Sequence, residues 1–193
     1  MVANSEFILE KLRSVLSEDV FDYATTTYIY SETKSLTYNY IGMSEFRDAL
    51  THVKRAVNAD SEQKVTSEME SAFEHIRRAA VESMQFYVET KFFDLRNRLK
   101  NPFLYLFIST YKLDWKNIRR TEEEVKELLA CARDSKPKTE WREAIGFFYK
   151  AETEIEKLDE IIPSKEQISQ KSTFFLMILM IVLLLLMIAM RIL

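Results

Sequence analysis

Apolar residues recur every three or four positions along most of this chain, and near its C-terminal end they stop being periodic and become continuous. Phe7, Ile8, Leu12, Val15, Leu16 and Val20 form a single stripe, which predicts a helix from Ser5. Between Ala24 and Ile41 the composition turns to Thr and Tyr, which would also suit a small hairpin. A lone two-stranded hairpin is marginal in water, so the reading is that the first helix continues to about Thr33 and a loop follows to Met43. Ser44 reads as the N-cap of a helix reaching about Asn58, and Ser61 as the start of another reaching Lys100. In the second of these, Val65, Met69, Phe73, Ile76, Ala80, Met84, Tyr87, Val88, Phe92, Leu95 and Leu99 hold one stripe for about ten turns, the pattern of a central spine. Asn101-Pro102 ends it and opens a short helix from Phe103 to Tyr111. Thr121 to Glu124 reads as a capping box ahead of Val125, Leu128, Leu129 and Ala132. Thr139 opens the next helix, with Trp141, Ile145, Phe148, Ala151, Ile155, Leu158 and Ile162 on one face. Pro163 breaks that helix and is expected to uncouple it from the C-terminal helix, and Ser164 to Gln167 forms a second capping box.

The final run has no polar face at all. Phe174, Phe175, Leu176, Met177, Ile178, Leu179, Met180, Ile181, Val182, Leu183, Leu184, Leu185, Leu186, Met187, Ile188, Ala189 and Met190 follow one another without a polar side chain. As a helix, residues 174–193 reach roughly 30 Å, the thickness of a bilayer's hydrocarbon core. The expected organisation is a cytosolic part over 1–163, a juxtamembrane segment over 164–173 and a transmembrane anchor over 174–193, which is the layout of a single-pass, tail-anchored membrane protein. The run lacks Gly, Ser, Thr, Asn and Gln, the residues of close helix packing and water-lined pores, and so reads as a passive anchor.

Composition supports the helical reading. Two glycines and three prolines punctuate 193 residues, so the fold class is all-α: an antiparallel helical bundle with one long central helix, plus a single C-terminal transmembrane helix. No secretory signal pattern opens the chain, and Lys165 and Lys171 precede the anchor while Arg191 follows it, so the N-terminal part is expected to face the cytosol. The single cysteine, Cys131, excludes an intramolecular disulfide and reads as a buried thiol.

Two segments resemble each other. Ser44 to Val57 aligns without gaps on Ser67 to Ala80 at an offset of 23, with six of fourteen positions identical, including His52 and His75. The pair reads as an internal repeat, packing through Leu50, Val53, Phe73 and Ile76. Ala49 and Ala72 stand where a Glu-x-x-His metal site needs glutamates, so the histidines read as helix-edge residues with local bonds, Asp48 being in reach of His52.

Catalytic signatures are lacking: no Gly-rich phosphate loop, Gly-x-Ser-x-Gly elbow or paired Cys and His occurs. The carboxylates read as solvated helix faces, and neither enzyme activity nor a cofactor or metal is expected. Charge is distributed unevenly, with eight basic and two acidic residues between Lys91 and Arg120 in a chain whose net charge is −3. There Arg96, Arg98, Lys100, Lys112, Trp115, Lys116, Arg119 and Arg120 flank the aromatic stretch Phe103 to Ile108, a combination suited to a membrane surface. Overall acidity argues against nucleic acid. The function expected is a protein-binding or assembly module at the membrane surface, with a protein partner or self-association; the alternative is an oligomerising, membrane-perturbing effector.

Overall fold

The computed structural model describes residues 5–106, 113–136 and 140–192, and among these the chain is helical throughout, with no strand. The helices are α1 (Ser5–Val15), α2 (Tyr23–Ser35), α3 (Tyr40–Val57), α4 (Glu62–Leu99), α5 (Pro102–Leu106), α6 (Trp115–Ser135), α7 (Trp141–Ile161) and α8 (Lys165–Ile192). The all-α class is therefore as the sequence predicts.

Several boundaries differ from the sequence reading, each for a local reason. The first helix does not run on to Thr33. It stops at Val15, and Ser14 and Ser17 turn their hydroxyls back onto the carbonyls of Lys11 and Ser14, the competition with helical bonding that serines bring. A wide π-turn, Glu18–Asp22, then leads into α2. The Thr/Tyr-rich stretch is helical to Ser35, where Leu36 adopts a left-handed conformation with φ 52°. Asn39, not Ser44, caps α3: its side chain accepts from the Gly42 N–H, whereas the Ser44 hydroxyl bonds back to Ile41 inside the helix. Likewise Asp114 caps α6 through the N–H groups of Lys116 and Asn117, ahead of the expected Thr121. The capping box at Ser164 is present: Ser164 N–H donates to Gln167, and Gln167 N–H donates back to the Ser164 hydroxyl. The second half of the helix expected over Phe103 to Tyr111, and the start expected at Thr139, lie outside the described residues.

Thirty-eight residues long, α4 extends about 57 Å, and α1, α2, α3 and α7 all pack on it. Val65, Ile76, Met84, Val88 and Leu95 are its fully buried large side chains. Each contributes roughly 1.5–3 kcal/mol relative to leaving it in water. Along its first half runs α3 in the opposite sense, since His52 meets Glu68 while the earlier Glu45 meets the later His75. In that register Ala49 lies level with Ala72, Ala56 with Val65 and Gly42 with Ala79 along the seam between them, and these positions are buried. The approach is close enough that a Cβ on Gly42 would collide with the Ser83 hydroxyl and the Tyr28 ring. Leu50, expected in this seam, is 63% exposed, and Phe73 is only partly buried. The alanines bring the backbones together and push the larger side chains to the rim. Cys131 is also exposed, not buried, because it lies on the outer face of α6.

Candidate membrane-proximal site

Among the described residues one helix is long and apolar enough to cross a membrane, and none of its apolar window is buried against the rest of the protein. Residues 174–190 of α8 are exposed without exception. The root of α8 is different. Ile168 is buried in the core, Lys165 pairs with Asp94 of α4, and α5 touches α8. Asn101 and Phe103 share a groove with Ser169 and Ser172, so the end of α4 stands level with the last polar turn before Phe174.

Arg98 makes the junction. It is buried, pairs with Asp159 of α7, and donates to the carbonyls of Ile162 and Pro163 at 3.4 Å each. These carbonyls are the ones that the break at Pro163 leaves without helical partners, Ile162 being extended. The proline therefore does break the helix, yet the guanidinium reconnects the broken end to α4, where the sequence reading has an uncoupled joint.

The basic residues that the sequence groups together are sorted by helical phase. Residues two apart on a helix point about 200° away from each other, and residues four apart nearly coincide. Arg98 turns inward toward α7 and is not a surface group. Arg96 and Lys100 share the other side of α4 and face α6. There a cavity of about 500 Å³ opens between the two helices, walled by Arg96, Lys100, Trp115, Arg119, Glu122 and Glu123. Arg96 binds Glu122 at 3.1 Å, and Lys126 reaches both Glu122 and Glu123 from outside, at 3.2 and 2.7 Å. Lys100 and Arg119 are exposed and have no carboxylate within 4 Å among the described residues. Exposed Lys116 is in the same position, whereas Arg120 pairs with Glu124 at 3.6 Å and with the Asn117 side chain. Lys112 lies outside the described residues.

No family model matches this chain, and no curated protein or solved structure matches it.

Two further polar clusters sit on α4, and the sequence reading missed the more deeply buried one. Glu152 of α7, 3% exposed, accepts hydrogen bonds from the hydroxyls of Tyr30 at 2.9 Å and Tyr87 at 2.6 Å. One turn on, Glu156 pairs with Lys91 at 3.0 Å and Lys34 at 3.5 Å. Three helices thus each supply two residues four apart: Tyr30 and Lys34, Tyr87 and Lys91, Glu152 and Glu156. Burial, and then the bond to Glu152, push the Tyr30 and Tyr87 hydroxyls well above the ordinary phenol range. The bond from Lys91 holds Glu156 below the usual carboxylate range. The node joins α2, α4 and α7 through these bonds. The signal that would reveal it, i,i+4 pairs of complementary chemistry on three separate helices, is invisible until those helices are known to meet.

The second cluster is the histidine pair. His52 Nδ1 lies 2.7 Å from Glu68 and His75 Nδ1 lies 2.7 Å from Glu45, and the two rings stack with centroids 5.0 Å apart. Positions 45 and 68, like 52 and 75, are equivalent at the offset of 23, so one contact is made twice. Both bonds cross between helices, and Asp48 instead pairs with Arg47.

Proposed function

We propose that this chain is an integral membrane protein held by one C-terminal span, whose helical bundle faces the cytosol and serves as a non-catalytic protein-binding or assembly module at the membrane surface. One observation carries the reading: α8 exposes its whole apolar length, while its first turn is built into the core through Ile168 and Lys165 and the Ile162-Pro163 link just before it is held by Arg98. A helix with 17 consecutive apolar residues in water would present far more apolar surface than soluble monomers expose, and lipid is the solvent that suits it. Support for protein binding comes from the face where α2 and α3 meet the first half of α4. Leu16, Ile29 and Leu50 stand exposed around an apolar cavity of about 230 Å³ floored by Phe46, Val53 and Ile76.

Both halves of the proposal are open to test. The full-length chain is expected to remain in the membrane pellet after a carbonate wash, with a tag at its N-terminal end open to protease added from the cytosolic side. Release by carbonate would remove the anchor. A photo-crosslinking residue in place of Leu50 is expected to give discrete protein adducts in native membranes. Adducts to lipid alone would make that face a second membrane contact and remove the binding module.

A further inference from the structure

We propose that the cavity between the end of α4 and the start of α6 binds the phosphorylated headgroup of an anionic lipid in the membrane that α8 crosses; this rests on the membrane reading above. Depth is the first argument. Asn101, next to Lys100, lies beside Ser169 and Ser172, and Ser172 precedes Phe174 by two residues, about 3 Å of helix. With Phe174 at the edge of the hydrocarbon, Lys100 stands at headgroup level.

Charge is the second argument. The two acidic side chains of the wall, Glu122 and Glu123, are already met by Arg96 and by Lys126. Lys100 and Arg119 are left over, one from each helix, on opposite walls of a 500 Å³ space. Unmatched cations converging from two elements leave a site short of negative charge. A phosphate oxygen accepts hydrogen bonds from an ammonium on one side and a guanidinium on the other without either having to abandon a carboxylate. Trp115 completes the wall with the side chain that prefers the border between headgroups and acyl chains. Arg98, two residues from Lys100, takes no part because its bonds to Asp159 and to the Ile162 and Pro163 carbonyls occupy it.

The test uses the full-length chain in phosphatidylcholine nanodiscs containing a small fraction of dansyl-labelled lipid, with energy transfer from tryptophan as the readout. Trp115 lines the cavity, whereas Trp141 opens α7, roughly 30 Å of helix away from the anchor end; a Trp115→Phe chain gives the background. Transfer to dansyl-phosphatidic acid is expected to exceed transfer to dansyl-phosphatidylcholine. Lys100→Gln and Arg119→Gln should each reduce that preference about fivefold, the worth of one basic group at an anionic surface, and Lys116→Gln should leave it within about twofold. Circular dichroism of the variants is expected to be unchanged, since both side chains are exposed. Equal transfer to the two lipids overturns the proposal. So does an equal loss in Lys116→Gln, which would mean a diffuse basic surface, and so does displacement by equimolar inorganic phosphate, which would mean a site for a free anion. Carbonate resistance of the same variants reports separately on the anchor, so a missing headgroup site and a missing membrane span give different results.

Discussion

The two halves of α4 solve the same problem, holding polar side chains between helices, in opposite ways. In the first half, the stacked His52 and His75 and their glutamates lie at the rim of an alanine seam, each side chain about a fifth exposed or less. Water reaches the rim, and the apolar seam beneath is complete without these bonds. In the second half, Glu152 is buried outright and its acceptors are filled by two tyrosines, with two lysines balancing the two carboxylates. A buried carboxylate without partners costs several kcal/mol, so this joint works only as a complete set. Burial, and not the number of polar groups, decides how much each cluster matters.

The largest expected effect comes from removing Glu152. Glu152→Ala takes the acceptor from the Tyr30 and Tyr87 hydroxyls and one of two carboxylates from Lys34, and is expected to cost about 3–5 kcal/mol in urea unfolding of the full chain in detergent. Glu152→Gln keeps the shape and one acceptor oxygen and should cost clearly less. If alanine and glutamine cost the same, the node is packing alone.

A smaller effect is expected in alkali. Tyr30 and Tyr87 are held above the ordinary phenol value of about 10 by burial and by Glu152. The folded chain therefore keeps these protons more tightly than the unfolded chain. The resulting stability is fully present below about pH 10 and is lost as pH rises from there toward the folded values. Unfolding curves between about pH 8 and 11 should show this decline, and the double change Tyr30→Phe, Tyr87→Phe should flatten much of it, with Tyr28, raised by burial and by its bond to Glu32, and Tyr23 and Tyr149, raised chiefly by burial, supplying the rest. A slope unchanged in the double variant would place the alkaline transition elsewhere.

The smallest effect belongs to the histidine pair. His52→Gln together with His75→Gln should cost less than about 1 kcal/mol, the range of exposed and rim pairs. A loss comparable to Glu152→Ala would erase the distinction between the two halves.

Periodicity reveals the helices because burial of one face leaves a mark every three or four residues. It locates α4, α7 and α8 well. It misplaces the starts of α3 and α6, since Ser44 and Thr121 look as good a cap as Asn39 and Asp114 until backbone geometry chooses between them. The break after Val15 depends on serine hydroxyls bonding backward, which composition does not announce. The site residues divide for a similar reason. Arg96, Arg98 and Lys100 are alike as charges, and helical phase assigns them to different sides of α4. Glu152 hides among solvated glutamates because its burial depends on α2, which is far away in sequence. Arg98 is unreadable for the same cause: its carbonyl partners exist only because Pro163 ends a helix that happens to lie alongside.

Continuity between bundle and anchor gives this protein a fixed azimuth. From Lys165 to Ile192 the backbone is one helix, with no swivel between the core and the exposed apolar run. Each residue of that helix carries about 100° of rotation and 1.5 Å of rise. One alanine inserted between Ser172 and Thr173 would therefore turn the entire bundle by about 100° relative to whatever face of α8 the membrane or a neighbouring span prefers. Four inserted residues would lift it by about 6 Å and return it nearly to its original heading. The heading of the bundle about the apolar helix is set by counting residues in a stretch whose side chains are otherwise interchangeable.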